Sequence, residues 1–174
     1  MDFTEVEVMR LGLDRSNNSY VVILQEKDGE RLLPIWIGQP EAESIVIEMN
    51  NVKRARPLTH DLCKNIIIGL GGALKRVQIT KVEDRTYYAE MHVARTDRVV
   101  HIDARPSDSI AIALRFSAPI FAQDSLLSAL MLEEAAEQIE RTESVAELNE
   151  EMSAEQLQEY LQNLRPEDFG KFSM

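Results

Sequence analysis

The stretch VHIDARPSDS, residues 100–109, joins an alternating strand pattern to a helical pattern through a proline corner. An altered copy of it, IWIGQPEAES, occupies residues 35–44. In both copies an acidic residue, Glu43 or Asp108, precedes a Ser-Ile pair as the helical pattern begins. A corner that occurs twice indicates an internally duplicated fold. The residues that differ between the copies are then the places where chemistry has been added.

The sequence around each corner follows one order of elements. Three strand patterns precede the corner and two helical patterns follow it, so each half of the chain reads β-β-β-α-α. The first half places these patterns at residues 5–11, 20–24, 32–37, 41–49 and 57–72, and the second half at 76–80, 86–91, 99–103, 107–116 and from 124 onward. Because short turns join successive strands, we predict an α+β fold with a mainly antiparallel sheet.

The charge distribution divides the chain into a body and a tail. Residues 1–131 contain 16 Lys and Arg against 18 Asp and Glu, whereas residues 132–174 contain 3 against 12. We therefore predict one domain over residues 1–135 and an acidic helical tail over 136–174. Within the tail, an amphipathic stripe over residues 157–164 is too short to be stable alone. We expect it to dock on the body, on a second subunit or on a partner.

Composition excludes several classes of protein. No apolar run approaches the length of a membrane span, and the acidic N-terminus does not resemble a signal peptide, so we expect a cytoplasmic protein. The single cysteine, Cys63, excludes an internal disulfide and a paired-cysteine metal site. The sequence contains no phosphate-binding GxxxxGK[ST] loop, no HExxH and no GxSxG. The remaining chemistry is that of carboxylates, arginines and histidine.

The second corner carries the compact charge set Asp103, Arg105 and Asp108. Asp103 ends a strand, where an acid can hold a divalent cation or orient water. Arg105 is suited to a bidentate contact with phosphate. A structural interpretation stays open, in which Asp103 or Ser107 caps the helix and Arg105 pairs with either acid.

A second candidate lies in Arg56-Pro57-Leu58-Thr59-His60-Asp61. His60 is suited to general acid–base chemistry or to metal binding, with Asp61 beside it in the sequence. The structural alternative makes Thr59 the helix cap and Asp61 a partner of the helix dipole. That alternative does not require His60.

Two further groups complete the candidate residues. Glu41 and Glu43 stand at the first corner, where two acids can contribute to a cation site or complement a helix dipole. Lys53, Arg54 and Arg56 form the densest basic cluster of the chain, which is a phosphate-binding patch or a solvated loop.

Three motifs, in this order, resemble the bifunctional nuclease domain family. They are Leu33–Gly38 with Glu41-Ala42, Arg56–Leu62 and Ile102–Ala111, and the resemblance runs from about residue 3 to residue 135. It implies an α+β fold with an internal duplication, and nuclease activity on both DNA and RNA with little sequence preference. The positions that match its polar motifs are Glu41, Arg56, Thr59, His60, Asp61, Asp103, Arg105, Ser107 and Asp108.

We therefore predict a nuclease that a divalent cation, Mg²⁺ or Mn²⁺, assists. The predicted catalytic residues are His60, Asp61, Asp103, Arg105 and Asp108; the predicted metal ligands are Glu41, Asp103 and Asp108; and the predicted nucleic-acid contacts are Lys53, Arg54 and Arg56. The predicted partners are DNA and RNA and a second copy of the chain, with no membrane. The alternative is a non-catalytic module that binds a ligand or a protein and uses the same charges as structural ion pairs.

Overall fold

A computed structural model describes residues 2–14 and 19–128 of the chain. The predicted domain boundary near residue 135 and the predicted tail therefore lie outside the described residues. The described part contains, in chain order, β1 (Phe3–Asp14), β2 (Ser19–Glu26), β3 (Leu32–Ile37), α1 (Gln39–Met49), α2 (Thr59–Gly69), β4 (Ala73–Glu83), β5 (Thr86–Ala94), β6 (Val99–Ala104), α3 (Pro106–Phe116), β7 (Ile120–Gln123) and a 3-10 turn (Asp124–Leu126).

The strands form one seven-stranded sheet in the order β3-β2-β1-β7-β4-β5-β6. Strands β1 to β3 pair as one antiparallel meander and β4 to β6 as a second. Strand β7 lies between the two meanders, antiparallel to β1 and parallel to β4. The α+β class and the mainly antiparallel sheet are thus confirmed.

The two halves share the order β-β-β-α and then differ. The prediction of a second helix from Asp124 onward is wrong for the residues that the structure describes there. Residues 120–123 form β7 instead, because Ile120 and Ala122 alternate into the core while the backbone pairs with two strands. Asp124 then begins a 3-10 turn of three residues, and Leu127 is extended. The internal duplication itself stays a prediction.

The three helices cover one face of the sheet. Helix α1 packs on β2, α3 packs on β4 and β5, and α3 also contacts α1 and α2. Along β5, Ala89, Met91 and Val93 join this core with Ile45 and Ile110. Alternation then directs the residues between them, at positions 90 and 92, to the opposite face of the sheet. No helix in the described ranges has the length and apolar character that crossing a membrane requires.

The proline corners set where two helices begin. Pro40 stands in the first turn of α1 and Pro106 at the start of α3, where a missing N–H costs no hydrogen bond. Helix α2 ends at Gly69, and Gly71, two residues later, has a φ of +73° that glycine favours. The chain then enters β4. These starts bring the N-terminal ends of all three helices to one side of the molecule.

Candidate active site

The N-terminal ends of α1, α2 and α3 border a groove of about 550 Å³, which we call the helix-end groove. Each helix contributes residues from its first turns, because the corners before α1 and α3 and the loop before α2 all end here. The residues that line the groove are Pro40, Glu41, Glu43, Ser44, Ile47, Pro57, Leu58, Thr59, His60, Arg105 and Asp108. Four of the sequence-predicted site residues, Glu41, His60, Arg105 and Asp108, are thus brought together.

Arg105 links the two corners of the fold across this groove. Its Nε donates to Asp108 Oδ2 at 2.7 Å, and its Nη2 donates to Glu41 Oε1 at 2.7 Å. The hydrogen bonds that Arg105 donates, to Asp108 first and to Glu41 second, raise the pKa of Arg105 above its usual value. The guanidinium side chain is nevertheless 66% exposed. It is therefore a fixed positive charge that solvent, or an anion in the groove, can reach.

His60 lies between a serine and an aspartate. Its Nδ1 is 2.7 Å from Ser44 Oγ, and its Nε2 is 3.1 Å from Asp108 Oδ1. In a neutral ring these contacts fit an Nε2–H that donates to Asp108 and an Nδ1 that accepts from the Ser44 hydroxyl. Partial burial raises the pKa of Asp108, but the hydrogen bonds from Arg105 and His60 outweigh it and lower that pKa below its usual value. Asp108 is therefore a carboxylate at neutral pH.

Asp61 is adjacent to His60 in sequence but is not among the residues that line the groove. Its Oδ2 accepts the backbone N–H of Leu58 at 2.8 Å, and its Oδ1 accepts Arg115 Nε at 2.6 Å. Burial raises the pKa of Asp61, but these contacts outweigh it and the net pKa is lowered. The predicted cap Thr59 is wrong: the helix begins at Thr59, its N-cap residue is Leu58, and the Asp61 carboxylate accepts the backbone N–H of Leu58. Both carboxylate oxygens of this predicted catalytic residue have structural partners.

Asp103 lies apart from the groove. It is an exposed residue on β6 that pairs with Glu90 of β5, and its charge acts on Lys81. In the described part of the chain, the carboxylate oxygens of the predicted metal ligands Glu41, Asp103 and Asp108 do not lie close enough together to bind one metal ion. The reason is strand alternation, which directs Asp103 to the sheet face that the helices do not cover. Helix α3 is also not capped by Asp103 or Ser107, because Arg105 is its cap residue.

The predicted nucleic-acid contacts occupy the loop between α1 and α2. Lys53, Arg54 and Arg56 are all exposed there. Arg56 directly precedes Pro57 and Leu58, which line the helix-end groove. The basic loop therefore adjoins the groove, whose own acids would otherwise repel a polyanion.

Sequence reasoning missed two residues that hold this site in place. Ser44 was recognised as part of a repeated corner, yet nothing in its spacing predicts a contact with His60. Arg115 is 2% exposed and bonds to Asp61 and to the backbone oxygens of Ser44 and Ala111, so it ties α1, α2 and α3 together. Its signal was a single positive charge inside the otherwise apolar stripe of α3.

A second cluster lies on the opposite face of the sheet. Glu90, His92 and His101, which we call the sheet-face cluster, bring their ligand atoms within 4.8 Å of one another. Glu90 Oε1 is 2.7 Å from His92 Nε2 and 2.7 Å from His101 Nδ1. Burial, and then the charges of His101 and Arg76, lower the pKa of His92. Alternation along β6 directs His101 away from the core, and the pairing of β5 with β6 places His92 opposite it.

Comparison of the sequence with those of known proteins identifies relatives of this chain. The sequence profile of the bifunctional nuclease domain matches residues 22–135 of the chain. An uncharacterised protein of Mycobacterium tuberculosis is 39% identical over 167 residues, which cover 95% of this chain and 97% of that protein. Bifunctional nuclease 1 of Arabidopsis thaliana is 31% identical over 103 residues, or 57% of this chain and 32% of the plant protein. Bifunctional nuclease 1 of Oryza sativa subsp. japonica is 28% identical over 114 residues, or 63% and 34%.

Proposed function

The chain belongs to the bifunctional nuclease domain family, and on that basis we propose that it hydrolyses phosphodiester bonds of DNA and RNA in the helix-end groove. The observation that carries the proposal is the chain of contacts Glu41–Arg105–Asp108–His60 along one wall of that groove. It combines an accessible cation for a phosphate with a histidine that can move a proton, and hydrolysis of a phosphodiester needs both.

Phosphate binding is assigned to Arg105 and to the helix ends. Three helix N-termini border the groove, and the positive end of each helix dipole favours an anion there. Arg105 has several N–H groups in one plane, so it can contact two phosphate oxygens at once. Since its side chain is exposed, it can reach a phosphate oxygen in the groove while its Nε keeps the contact with Asp108.

Proton transfer is assigned to His60. When water attacks phosphorus, the water loses a proton and the leaving oxygen gains one, and a histidine near neutral pH can supply either transfer. The Asp108 carboxylate beside Nε2 stabilises the positive ring that forms when His60 accepts a proton. The basic nitrogen of His60 is Nδ1, which accepts from the Ser44 hydroxyl. A proton from the attacking water therefore reaches the ring through Ser44: Oγ gives its own proton to Nδ1 and takes one from the water in the groove.

We also propose that a divalent cation assists, held by Glu41 and Asp108. Both carboxylates line the groove, and carboxylate oxygens are the ligands that a hard ion such as Mg²⁺ or Mn²⁺ prefers; the ion would take the place of the Arg105 contacts on these oxygens. When bound, such an ion would neutralise phosphate charge and activate water. Because Asp103 lies on the other face of the sheet, we do not assign it to this site.

The basic loop of Lys53, Arg54 and Arg56 is proposed to guide the nucleic-acid backbone toward the groove. Contacts with phosphates alone carry no sequence information, which agrees with an enzyme that has little sequence preference. Such contacts also do not distinguish DNA from RNA. The acids inside the groove make this external basic patch necessary for binding a polyanion.

Self-association is proposed through the exposed face of α2. Leu58, Leu62, Ile66 and Leu70 recur every fourth residue and are between 39% and 67% exposed, so they form one apolar stripe on the surface. Light scattering should show an oligomer for the wild type and a smaller species for Leu62→Glu. Val82→Glu is the matched control, because Val82 is an exposed apolar residue on β4. A wild-type monomer would contradict the proposal.

The second candidate function is a non-catalytic binding module. It is favoured by the observation that Glu41, Arg105 and Asp108 already satisfy one another inside the protein. Under this interpretation the groove charges hold α1 to α3. Their removal would then lower stability and change no activity.

The experiment is a nuclease assay of the highly purified full chain on plasmid DNA and on single-stranded RNA, with Mg²⁺ or Mn²⁺ and with a chelator. His60→Ala and Asp108→Asn are expected to lose about 100-fold in rate on both substrates, which is the usual loss of a general acid–base group. The matched control is Asp97→Asn, an exposed acid in the turn between β5 and β6 that should retain full activity. Circular dichroism checks that each variant is folded.

Two outcomes would overturn the proposal. Equal activity of the wild type, His60→Ala and Asp108→Asn would indicate a contaminating nuclease. A wild-type protein that is inactive on both substrates, together with His60→Ala and Asp108→Asn proteins of lowered stability, would favour the binding module.

A further inference from the structure

The sheet-face cluster joins β5 to the edge strand β6 on the face that the helices leave open. Glu90 and His92 alternate along β5, and His101 lies directly opposite His92 in the register of β6. The His92 and His101 rings are 4.2 Å apart between centroids, and both face the Glu90 carboxylate. Two imidazoles and one carboxylate thus meet at one point of the sheet, well separated in the fold from the helix-end groove.

The cluster contains a buried nitrogen that no hydrogen bond from a described residue satisfies. His92 is 5% exposed, and its Nε2 has no hydrogen-bond partner among the described residues. Glu90 Oε1 approaches this nitrogen to 2.7 Å, yet the pair lacks the alignment of a hydrogen bond. A buried polar atom without a partner is unusual and costs stability. A third group that both atoms can bind would resolve the arrangement.

We propose that Glu90, His92 and His101 bind a zinc-like divalent transition-metal ion. Zn²⁺ takes imidazole nitrogens and carboxylate oxygens at bond lengths of about 2.0–2.2 Å, which place two ligand atoms roughly 3.3 Å apart. The three ligand atoms here already lie within 4.8 Å of one another, so small side-chain movements complete the geometry. Two nitrogen donors favour Zn²⁺, Co²⁺ or Ni²⁺ over Mg²⁺, which prefers an all-oxygen site. Three protein ligands leave one position for water.

Arg76 controls how readily the ion binds. Its Nε donates to His92 Nδ1 at 3.3 Å, from the neighbouring strand β4. A neutral histidine that accepts at Nδ1 carries its proton at Nε2, which is the atom that the metal needs. Metal binding therefore moves the proton from Nε2 to Nδ1 and displaces the Arg76 contact. Arg76 is exposed and can move aside, and it also places a positive charge near the incoming cation.

The experiment is a competition titration of the metal-stripped full chain with Zn²⁺ against a chromophoric chelator. Wild type is expected to bind one Zn²⁺ per chain in this site, and His101→Ala and Glu90→Gln to bind it at least about 100-fold more weakly. Both changes lie at half-exposed or exposed positions, so the core remains intact. His60→Ala is the matched histidine control and should bind Zn²⁺ as the wild type does. Arg76→Ala should bind it several-fold more tightly.

Replacement of Zn²⁺ by Co²⁺ provides a second readout, because the intensity of the visible absorption of bound Co²⁺ distinguishes a four-coordinate site from the hydrated ion. Mg²⁺ at the same concentration should not displace Zn²⁺. Equal Zn²⁺ affinity of the wild type, Glu90→Gln and His101→Ala would overturn the proposal, and so would loss of binding in His60→Ala alone. The outcome is independent of nuclease activity, because the titration measures binding on the other face of the sheet.

Discussion

Asp61 in the first turn of α2 and Asp108 in the first turn of α3 each pair with an arginine, and the two arginines differ in their exposure to solvent. Asp61 at the start of α2 pairs with Arg115, which is 2% exposed and also bonds to backbone oxygens of α1 and α3. Asp108 at the start of α3 pairs with Arg105, which is 66% exposed and faces the helix-end groove. An aspartate at the same helix position thus pairs in one case with an arginine that holds the helices together, and in the other with an arginine on an open surface.

The difference shows that burial decides what an ion pair can do. A buried arginine cannot leave its carboxylate, because the separated charges would have no solvent to replace the partner. An exposed arginine exchanges partners at little cost, since water screens the change. Arg115 therefore fixes the relative positions of the helices, and Arg105 remains available to a phosphate. The following predictions test this contrast, from the largest expected effect to the smallest.

Asp61→Ala should lower the free energy of unfolding by about 3 kcal/mol, because it leaves the buried Arg115 without its carboxylate. Urea denaturation at pH 7 measures this change. The same measurement on Asp97→Asn, an exposed acid in a turn, should give the wild-type value. An Asp61→Ala protein as stable as the wild type would show that the buried pair does not hold the helices.

Arg105→Ala should reduce nuclease activity by about 100-fold, or about 2.7 kcal/mol in activation free energy, because it removes a phosphate-binding charge. Its unfolding free energy should fall by about 1 kcal/mol, less than for Asp61→Ala, since the arginine of the lost ion pairs is solvent-exposed. Steady-state kinetics and urea denaturation on the same samples separate the two effects. A large loss of stability with full activity would reverse the roles assigned to the two arginines.

Arg56→Ala should weaken binding of a DNA oligonucleotide by less than the factor of about 100 expected for the activity of Arg105→Ala. The rate constant for cleavage of bound substrate should not change. A loop phosphate contact contributes through counterion release, so the slope of log affinity against log salt should fall by about 1. Fluorescence anisotropy at several salt concentrations measures this slope. A fall in the rate constant instead would place Arg56 beside the reacting phosphate.

Asp108→Asn should have only a small effect on the free energy of unfolding. The effect should be present only at pH values at which the Asp108 carboxyl of the wild type is ionised. The pKa of Asp108 is lowered in the folded protein, so its carboxylate contributes stability above the unfolded pKa near 3.8. That contribution is lost as the pH falls through the lowered value. The gap in unfolding free energy between wild type and Asp108→Asn should therefore be about 1 kcal/mol or less at pH 7 and should close at strongly acidic pH. A gap that widens on acidification would contradict this assignment.

The strands and helices with strong local patterns could be predicted from the sequence, and β7 could not. Alternation along β1 to β6 and the proline corners before α1 and α3 are local signals, and the structure confirms them. Strand β7 has four residues, Ile120–Gln123, and is stabilised by pairing with β1 and β4, which lie far away in the sequence. Such non-local pairing leaves no periodic trace in four residues. The sequence pattern therefore predicts no element at residues 120–123 and a helix from residue 124 onward.

The site shows the same limit at the level of single residues. Glu41, His60, Arg105 and Asp108 could be selected from the sequence because their types and corner positions are chemically informative. Asp103 lies away from these residues because alternation along β6 directs it to the other face of the sheet. Ser44 lies beside them because α1 packs against α2 and α3. His92 carried no signal, because its partner across the strand pair, His101, is known only once the register is known.

Strand β7 also determines when the sheet can be completed during synthesis of the chain. Strands β1 and β4 have no direct pairing, so the two meanders become one sheet only through β7, which is the last of the seven strands to leave the ribosome. Until about residue 123 has emerged, the edges of β1 and β4 that β7 pairs with stay open. Closing the sheet then pairs residues 3–6 with 120–123, a contact between distant parts of the chain that forms slowly. The N-terminal half must therefore wait during synthesis with the β1 edge unpaired.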